Sequence, residues 1–242
     1  MNNICIIPAR GGSKRIPNKN IKLFLGKPII AYSIETALRS NLFSEVIVST
    51  DSDQISTIAK SYGASVPFKR SITNSNDNAT TLDVMVEVHN ELRKRSYSYK
   101  YICCIYPAAP LIDIKDLIKG RELIGAEDID AVIPVKLFSH PIQRAFHSDE
   151  DSSLTVSWPR HFNKRTQDLK QYCHDIGQWY WYTCEAIEKK ELRKRKGVYI
   201  EESRSQDIDN HEDWKVAEIK YLATRYLLDF HEESSTYRFQ RK

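Results

Sequence analysis

Short apolar runs alternate with amphipathic stretches along the first half of this chain, and few folds accommodate that rhythm. Ile4-Cys5-Ile6-Ile7 is continuously apolar and reads as a fully buried strand. Beyond a polar loop, Pro28 precedes Ile30, Ile34, Ala37 and Leu38, which share one helical face. Glu45 to Thr50 reads as a second strand. Ser52 to Tyr62 reads as a helix that Gly63 stops. A helix over Leu82 to Leu92, a strand over Tyr101 to Tyr106 broken by Pro107, a helix over Asp113 to Gly125 and a strand over Ala131 to Val135 follow. This order predicts βαβ units and a mostly parallel sheet. Ligands of such sheets bind beyond the carboxyl ends of the strands, where Arg10, Asp51 and Pro107 fall.

From about Leu137 to Cys173 the alternation fails. This segment carries Phe138, Phe146, Trp158 and Phe162 without a long periodic face, and reads as a hairpin or small subdomain outside the sheet. Strand signal returns at Gly177 to Thr183 and Gly197 to Glu201. A last helix is expected over about Glu212 to Asp229, with Trp214, Ala217, Tyr221 and Leu228 on its apolar face, and the final dozen residues should fray. The expected organisation is one α/β domain, residues 1–136 and 176–242, with 137–175 as an excursion; 242 residues suit that size.

Composition removes several classes of function. No apolar run approaches the roughly 20 residues of a membrane span, and the start, Met-Asn-Asn followed by a short apolar run, does not read as a secretory leader. A formal charge of +4 is a weak bias on this length, and the cations are mixed with acids, so no nucleic-acid or membrane partner is expected. The one dense basic run, Glu188 to Lys196, reads as a solvated helix end. Five cysteines in no Cys-x-x-Cys pair argue for reduced thiols in a cytoplasmic protein.

The chemistry gathers in two motifs. After the first strand comes Pro8-Ala9-Arg10-Gly11-Gly12-Ser13-Lys14-Arg15-Ile16-Pro17-Asn18-Lys19-Asn20. Its glycines let backbone approach a ligand, successive N–H groups can cradle an anion, and Arg10, Lys14, Arg15 and Lys19 add four cations. A polyphosphate suits this loop, which is not a Walker A sequence. The second motif, Asp207-Ile208-Asp209, puts two carboxylates on one side of an extended segment, as a shared Mg²⁺ would need. The alternative there is an acidic turn before the last helix, with Asn210 as its N-cap. A third cluster, Phe162 to Asp168 with His174-Asp175 and Gln178 to Trp181, mixes planar polar groups with aromatics and suits a polyhydroxylated acid; Arg165 could pair with a carboxylate. Trp179 and Trp181 read as core.

Taken together these residues resemble the cytidylyltransferases that activate nine-carbon acidic sugars, the CMP-sialic acid synthetase family. The loop from Ile7 to Asn20 carries the likeness most strongly, Gly26 to Ile34 continues it, and Ser49-Thr50-Asp51-Ser52 and Asp207-Ile208-Asp209 fall in place. Tyr106-Pro107-Ala108-Ala109-Pro110, His140 to Arg144, Trp158-Pro159, Arg165 to Leu169 and Gly177 to Trp181 look like the pseudaminic acid branch, although Ala108 stands where that branch commonly has Thr. The resemblance implies a three-layer, Rossmann-like nucleotidyltransferase fold, Mg²⁺ as cofactor, CTP and a nine-carbon acidic sugar as substrates, and a homodimer into which the excursion crosses. On that basis Arg10 and Lys19 would be catalytic, and Ala9, Gly11, Gly12, Ser13, Lys14, Asn20, Arg70 and Thr81 would hold the nucleotide. Tyr106, Gln143, Arg165 and Gln178 would hold the sugar, and Asp207 and Asp209 the metal. Sialic, legionaminic or 3-deoxy-octulosonic acid as acceptor, or a nucleotide-binding module without turnover, are the alternative readings.

Overall fold

The computed structural model describes residues 3–126 and 128–234. In chain order its elements are β1 (Asn3–Pro8), β2 (Leu23–Phe24), β3 (Lys27–Pro28), α1 (Ile29–Arg39), β4 (Glu45–Ser49), α2 (Asp53–Ser61) and α3 (Thr81–Lys94). Then come β5 (Tyr101–Ile105), α4 (Ile114–Ile124), β6 (Ala131–Leu137), β7 (Phe146–Ser148), β8 (Leu154–Val156), the short α5 (Pro159–Phe162) and β9 (Cys173–Asp175). β10 (Trp179–Thr183), α6 (Cys184–Lys189), β11 (Arg195–Tyr199) and α7 (His211–Ser234) complete the set. The expected final dozen fraying residues fall mostly outside the described residues, as does the side chain of Leu228.

The main sheet has strand order β11-β6-β10-β5-β1-β4, with β9 added beside β6. β1 pairs in parallel with β4 and β5, and β11 with β6, whereas β10 and β9 are antiparallel to their neighbours. The expected mostly parallel sheet is present, with one strand of opposite sense near its middle. Its sense follows from the excursion. A parallel return needs a crossover that carries the chain back to the other end of the sheet. The segment after β6 holds only short elements, re-enters through β9 at the end it left, and β10 therefore runs the other way.

Both faces of the sheet are covered, which is why its strands are apolar on both sides. Cys5, Ile7, Cys103, Ile105, Trp179 and Trp181 point to one face, with Ile30 and Ile34 of α1, Ile55 of α2 and Leu117 of α4. Ile4, Ile6, Ile102, Cys104, Tyr180 and Tyr182 point to the other, with Val84, Met85 and Val88 of α3 and Ile187 of α6. The two tryptophans are core, as their alternation predicts. A Cβ on Gly120 of α4 would lie 2.7 Å from their rings, so a glycine sets how closely α4 meets β10. The reading of Gly197 to Glu201 as a strand is shifted: pairing with β6 covers Arg195–Tyr199.

A third apolar cluster joins Ile16, Phe24, Ile29, Tyr32, Ile208, Trp214 and Ala217. It ties the basic loop, the β2–β3 hairpin and the acidic segment to α7. Phe24 sits edge-on to both Tyr32 and Trp214. The excursion contrasts with this packing. β7 and β8 pair only with each other, and Phe146, Leu154, Trp158, Phe162 and Tyr172 are exposed.

Candidate active site

The basic loop leaves β1 at the carboxyl end of the sheet and is held from below. Gly11 N–H donates to Asp51 Oδ1 at 2.8 Å, and Asn20 Nδ2 donates to the Arg10 carbonyl at 2.9 Å. Gly11 packs closely, since a Cβ there would stand 3.2 Å from Ser52 Cβ and would need that side chain to give way slightly. Around Gly12 that space is empty, leaving its backbone open to a ligand. Ala9 and Asn20 are buried beneath the loop. Ser13 N–H turns back to the Gly11 carbonyl at 3.1 Å.

Asp207-Ile208-Asp209 reaches the same place. Ile208 is buried in the α7 cluster, so the carboxylates on either side face outward, as the i, i+2 spacing predicts. Arg15 pairs with Asp209 at 2.7 Å, and Lys19 Nζ donates to the Ile208 carbonyl at 2.7 Å. A cavity of about 350 Å³ results, lined by Arg10, Ser13, Lys14, Arg15, Lys19, Asn20, Asp77, Pro107 and Asp209. Crowding by the surrounding chain, and then the charge of Asp209, push the Asp207 carboxyl above its ordinary range. Burial lowers the Lys19 ammonium, against the pull of Asp209 and Asp207. Among the described residues no group of three or more His, Cys, Asp or Glu could hold a metal by itself. Two hard carboxylates beside a basic loop fit Mg²⁺, which keeps several waters and shares phosphate oxygens where they are present. The capping reading of the segment also holds: Asn210 Oδ1 accepts from the N–H groups of Glu212 and Asp213, and Asn210 N–H in turn donates to Asp213 Oδ2. The cap fixes the start of α7; Asp209 lines the cavity, and the Asp207 carboxyl lies beside Gly177.

The remaining expected residues divide. Arg70 is buried behind the loop and donates from Nε to Ser49 Oγ at 3.0 Å and from a terminal nitrogen to the Ser49 carbonyl. Burial depresses it to about 10, so it remains a cation at neutral pH. Thr81, at the start of α3, lies 2.9 Å from the Tyr106 hydroxyl, at the end of β5. Gln178 is buried, with its Nε2 donating to the Arg204 carbonyl at 2.7 Å. Gln143 and Arg165 sit on the excursion, and Gln143 Nε2 donates to the Lys170 carbonyl at 2.8 Å; like Arg70, Thr81, Tyr106 and Gln178, they do not line the cavity. The sequence reasoning missed Asp77. It takes Arg10 at 2.6 Å and also binds Lys14, so one carboxylate joins both loop cations. Lys14 and then Arg10 hold its own carboxyl below the usual range. Nothing in the polar run from Ser71 to Thr80 marks this aspartate beforehand.

A family model described as cytidylyltransferase matches residues 4–150, the span that holds the loop, Asp51, Arg70, Thr81 and Tyr106. The chain belongs to the cytidylyltransferase family. Within the family it is 39% identical over 225 residues to the pseudaminic acid cytidylyltransferase of Campylobacter jejuni serotype O:2, covering 91% of this chain and 97% of that protein. It is 30% identical to the CMP-N,N'-diacetyllegionaminic acid synthase of Legionella pneumophila, covering 90% and 95%. Among solved structures, CMP:2-keto-3-deoxy-manno-octonic acid synthetase complexed with CTP superposes with a TM-score of 0.65 at 17% identity. That match covers 93% of this chain and 100% of that one. The shared architecture is the three-layer nucleotidyltransferase fold expected from the sequence.

Proposed function

We propose that the protein transfers the cytidylyl group of CTP to pseudaminic acid, giving CMP-pseudaminic acid and pyrophosphate for glycan or flagellin glycosylation. The observation that carries this is the joining of the Arg10–Asn20 loop to Asp209 in one cavity at the carboxyl end of the sheet. The identity with the Campylobacter jejuni protein supports the choice of acid. In the reaction the sugar's anomeric hydroxyl attacks the α-phosphorus, the P–O bond to the β-phosphate breaks, and pyrophosphate leaves. The hydroxyl proton passes to solvent or a phosphate oxygen. The protein's part is positioning and neutralising charge.

Arg10, Lys14, Lys19 and the Gly11–Gly12 backbone bind the phosphates, with Ala9 and Ser13 shaping the loop. By family resemblance we assign Asn20, Arg70 and Thr81 to the nucleoside, and Tyr106, Gln143, Arg165 and Gln178 to the acid. Asp207 and Asp209 would hold Mg²⁺, which supplies charge for the α-phosphate and lowers the pKa of a bound hydroxyl. We place the enzyme in the cytoplasm, as five unpaired cysteines favour. No helix of the described residues is long and apolar enough to cross a membrane. We expect no nucleic-acid partner; in the basic run Lys189, Lys190, Arg193 and Lys194 each pair with an acid. We propose a homodimer that covers the exposed aromatics of the excursion.

The test is pyrophosphate release from CTP and Mg²⁺ with pseudaminic, sialic, legionaminic and 3-deoxy-octulosonic acids in parallel. Release that is fastest with pseudaminic acid is expected. Release only with another acid would reassign the acceptor, and none with any acid would leave nucleotide binding without turnover.

A further inference from the structure

The run that carries Asp207 and Asp209 has little backbone structure of its own. Between β11 and α7 only a short turn forms, at Glu202–Arg204, and residues 205–209 lie in neither helix nor strand. Buried carbonyls in such a run need side chains as partners, and two elements supply them to consecutive residues. Gln178, just before β10, donates from Nε2 to the Arg204 carbonyl, and Lys220 of α7 donates from Nζ to the Ser205 carbonyl, both at 2.7 Å.

Lys220 is the costlier of the two to place there. Its side chain is only 18% exposed, and an ammonium taken out of water must be paired. It meets Glu202 Oε1 at 2.8 Å as well as the Ser205 carbonyl, so it closes the turn from both ends. Glu202 also takes Lys136, near the end of β6, at 2.7 Å. Earlier on α7, Trp214 and Ala217 join the cluster that buries Ile208. The helix therefore holds the run at Ile208 by packing, and at Ser205 by a charge-assisted bond, about twice as strong as a neutral one. Asp207 lies between these two points. Asp209 follows directly after the second and lines the cavity.

We infer that Lys220 is a positioning residue for the acidic pair: its bond to the Ser205 carbonyl sets where the run enters the cavity, and so how Asp207 and Asp209 stand to the basic loop. The inference rests on the proposed reading of that pair as the Mg²⁺ site. Among the described residues Lys220 bonds to Glu202 and Ser205 and to neither aspartate, so it acts through the backbone between them.

The experiment is titration with Mn²⁺ in the absence of nucleotide, read by electron paramagnetic resonance, on wild type, Lys220→Met, Lys220→Arg and Asp209→Asn, beside melting curves and steady-state rates. Lys220→Met keeps an unbranched side chain and removes its donors. It should weaken Mn²⁺ binding roughly tenfold, the scale found when a group that orients metal ligands is lost. It should also lower kcat with KM for CTP little changed, because the phosphate loop is untouched, and a merely loosened fold would not give that split. Lys220→Arg, which keeps a charged donor, should recover most of the affinity. If Asp209→Asn leaves Mn²⁺ binding unchanged, the pair is not the metal site and the inference falls with that reading. If Asp209→Asn weakens binding while folded Lys220→Met does not, the reading stands and the positioning role is wrong. Should Lys220→Met fail to fold, Lys220→Gln, a shorter and neutral donor, is titrated in its place with the same outcomes.

Discussion

The parallel half of the molecule and the excursion after β6 solve opposite problems. In the first, β1, β4 and β5 are buried on both faces, and the loop above them is fixed by bonds to Asp51, Asp77, Ile208 and Asp209. In the second, β7 and β8 pair only with each other and large aromatics face solvent. Charge chemistry needs groups that do not reorganise as the reaction proceeds, and the packed half supplies them. A surface that meets a second copy needs exposed apolar area, and the excursion supplies that. Mutations in the first region should therefore act on rate and on choice of substrate, and in the second on the proposed assembly.

The largest effect should come from the acidic pair. Asp207→Asn with Asp209→Asn is expected to cut turnover by about 10³-fold or more, since metal-borne charge is worth several kcal/mol in such transfers. Relief of like charge should leave the apo protein at least as stable, so steady-state rates beside melting curves separate the two effects. A double variant that keeps its rate and Mg²⁺ requirement would move the metal elsewhere.

Next is Tyr106→Gln, at the residue of the packed half proposed to meet the acid. One altered contact discriminates by about 1–3 kcal/mol, so the ratio of specificity constants for pseudaminic over sialic acid should fall by roughly 10- to 200-fold at most. An unmoved ratio would take Tyr106 away from the sugar. On the excursion, Phe146→Ser with Trp158→Ser should turn a dimer into a monomer in sedimentation at micromolar concentration while the fold persists. Wild type sedimenting only as a monomer would remove the interface.

The smallest expected effect is at Asp77. Its carboxylate occupies loop cations that a phosphate would need. Exposed pairs contribute little, so Asp77→Asn should tighten CTP binding by no more than a few fold. The Asp77 carboxyl is held below its ordinary value. Its contribution to stability is therefore complete above the ordinary aspartate range and is lost as pH falls through the depressed value. CTP titrations and acid melts of both proteins check the two statements; weaker binding in Asp77→Asn would show that the carboxylate organises the loop rather than competes for it.

What the sequence made legible was what is local. The run Ile4 to Ile7 and the loop after it are read from adjacent residues, and Asp207 and Asp209 share a side because alternation is a property of extended backbone. The opposite sense of β10 was not legible, because strand direction depends on how the excursion returns. Asp77 was hidden because its partners lie 67 residues away for Arg10, across an ion pair that leaves no periodic mark. Gln143 and Gln178 are sugar candidates by residue and motif alone; that each Nε2 donates to a distant carbonyl is visible only once the tertiary structure brings the two together.

The central claim is that the basic loop and the acidic segment form one catalytic unit. Asp209 bonds to Arg15 across 194 residues of sequence. A double-mutant cycle on pyrophosphate release tests it directly, with Arg10→Ala, Asp209→Asn and the two together. Groups that act as a unit are strongly non-additive. The double variant is predicted to be about as slow as the slower single one. Losses that multiply, as for two independent sites, would contradict a single active site.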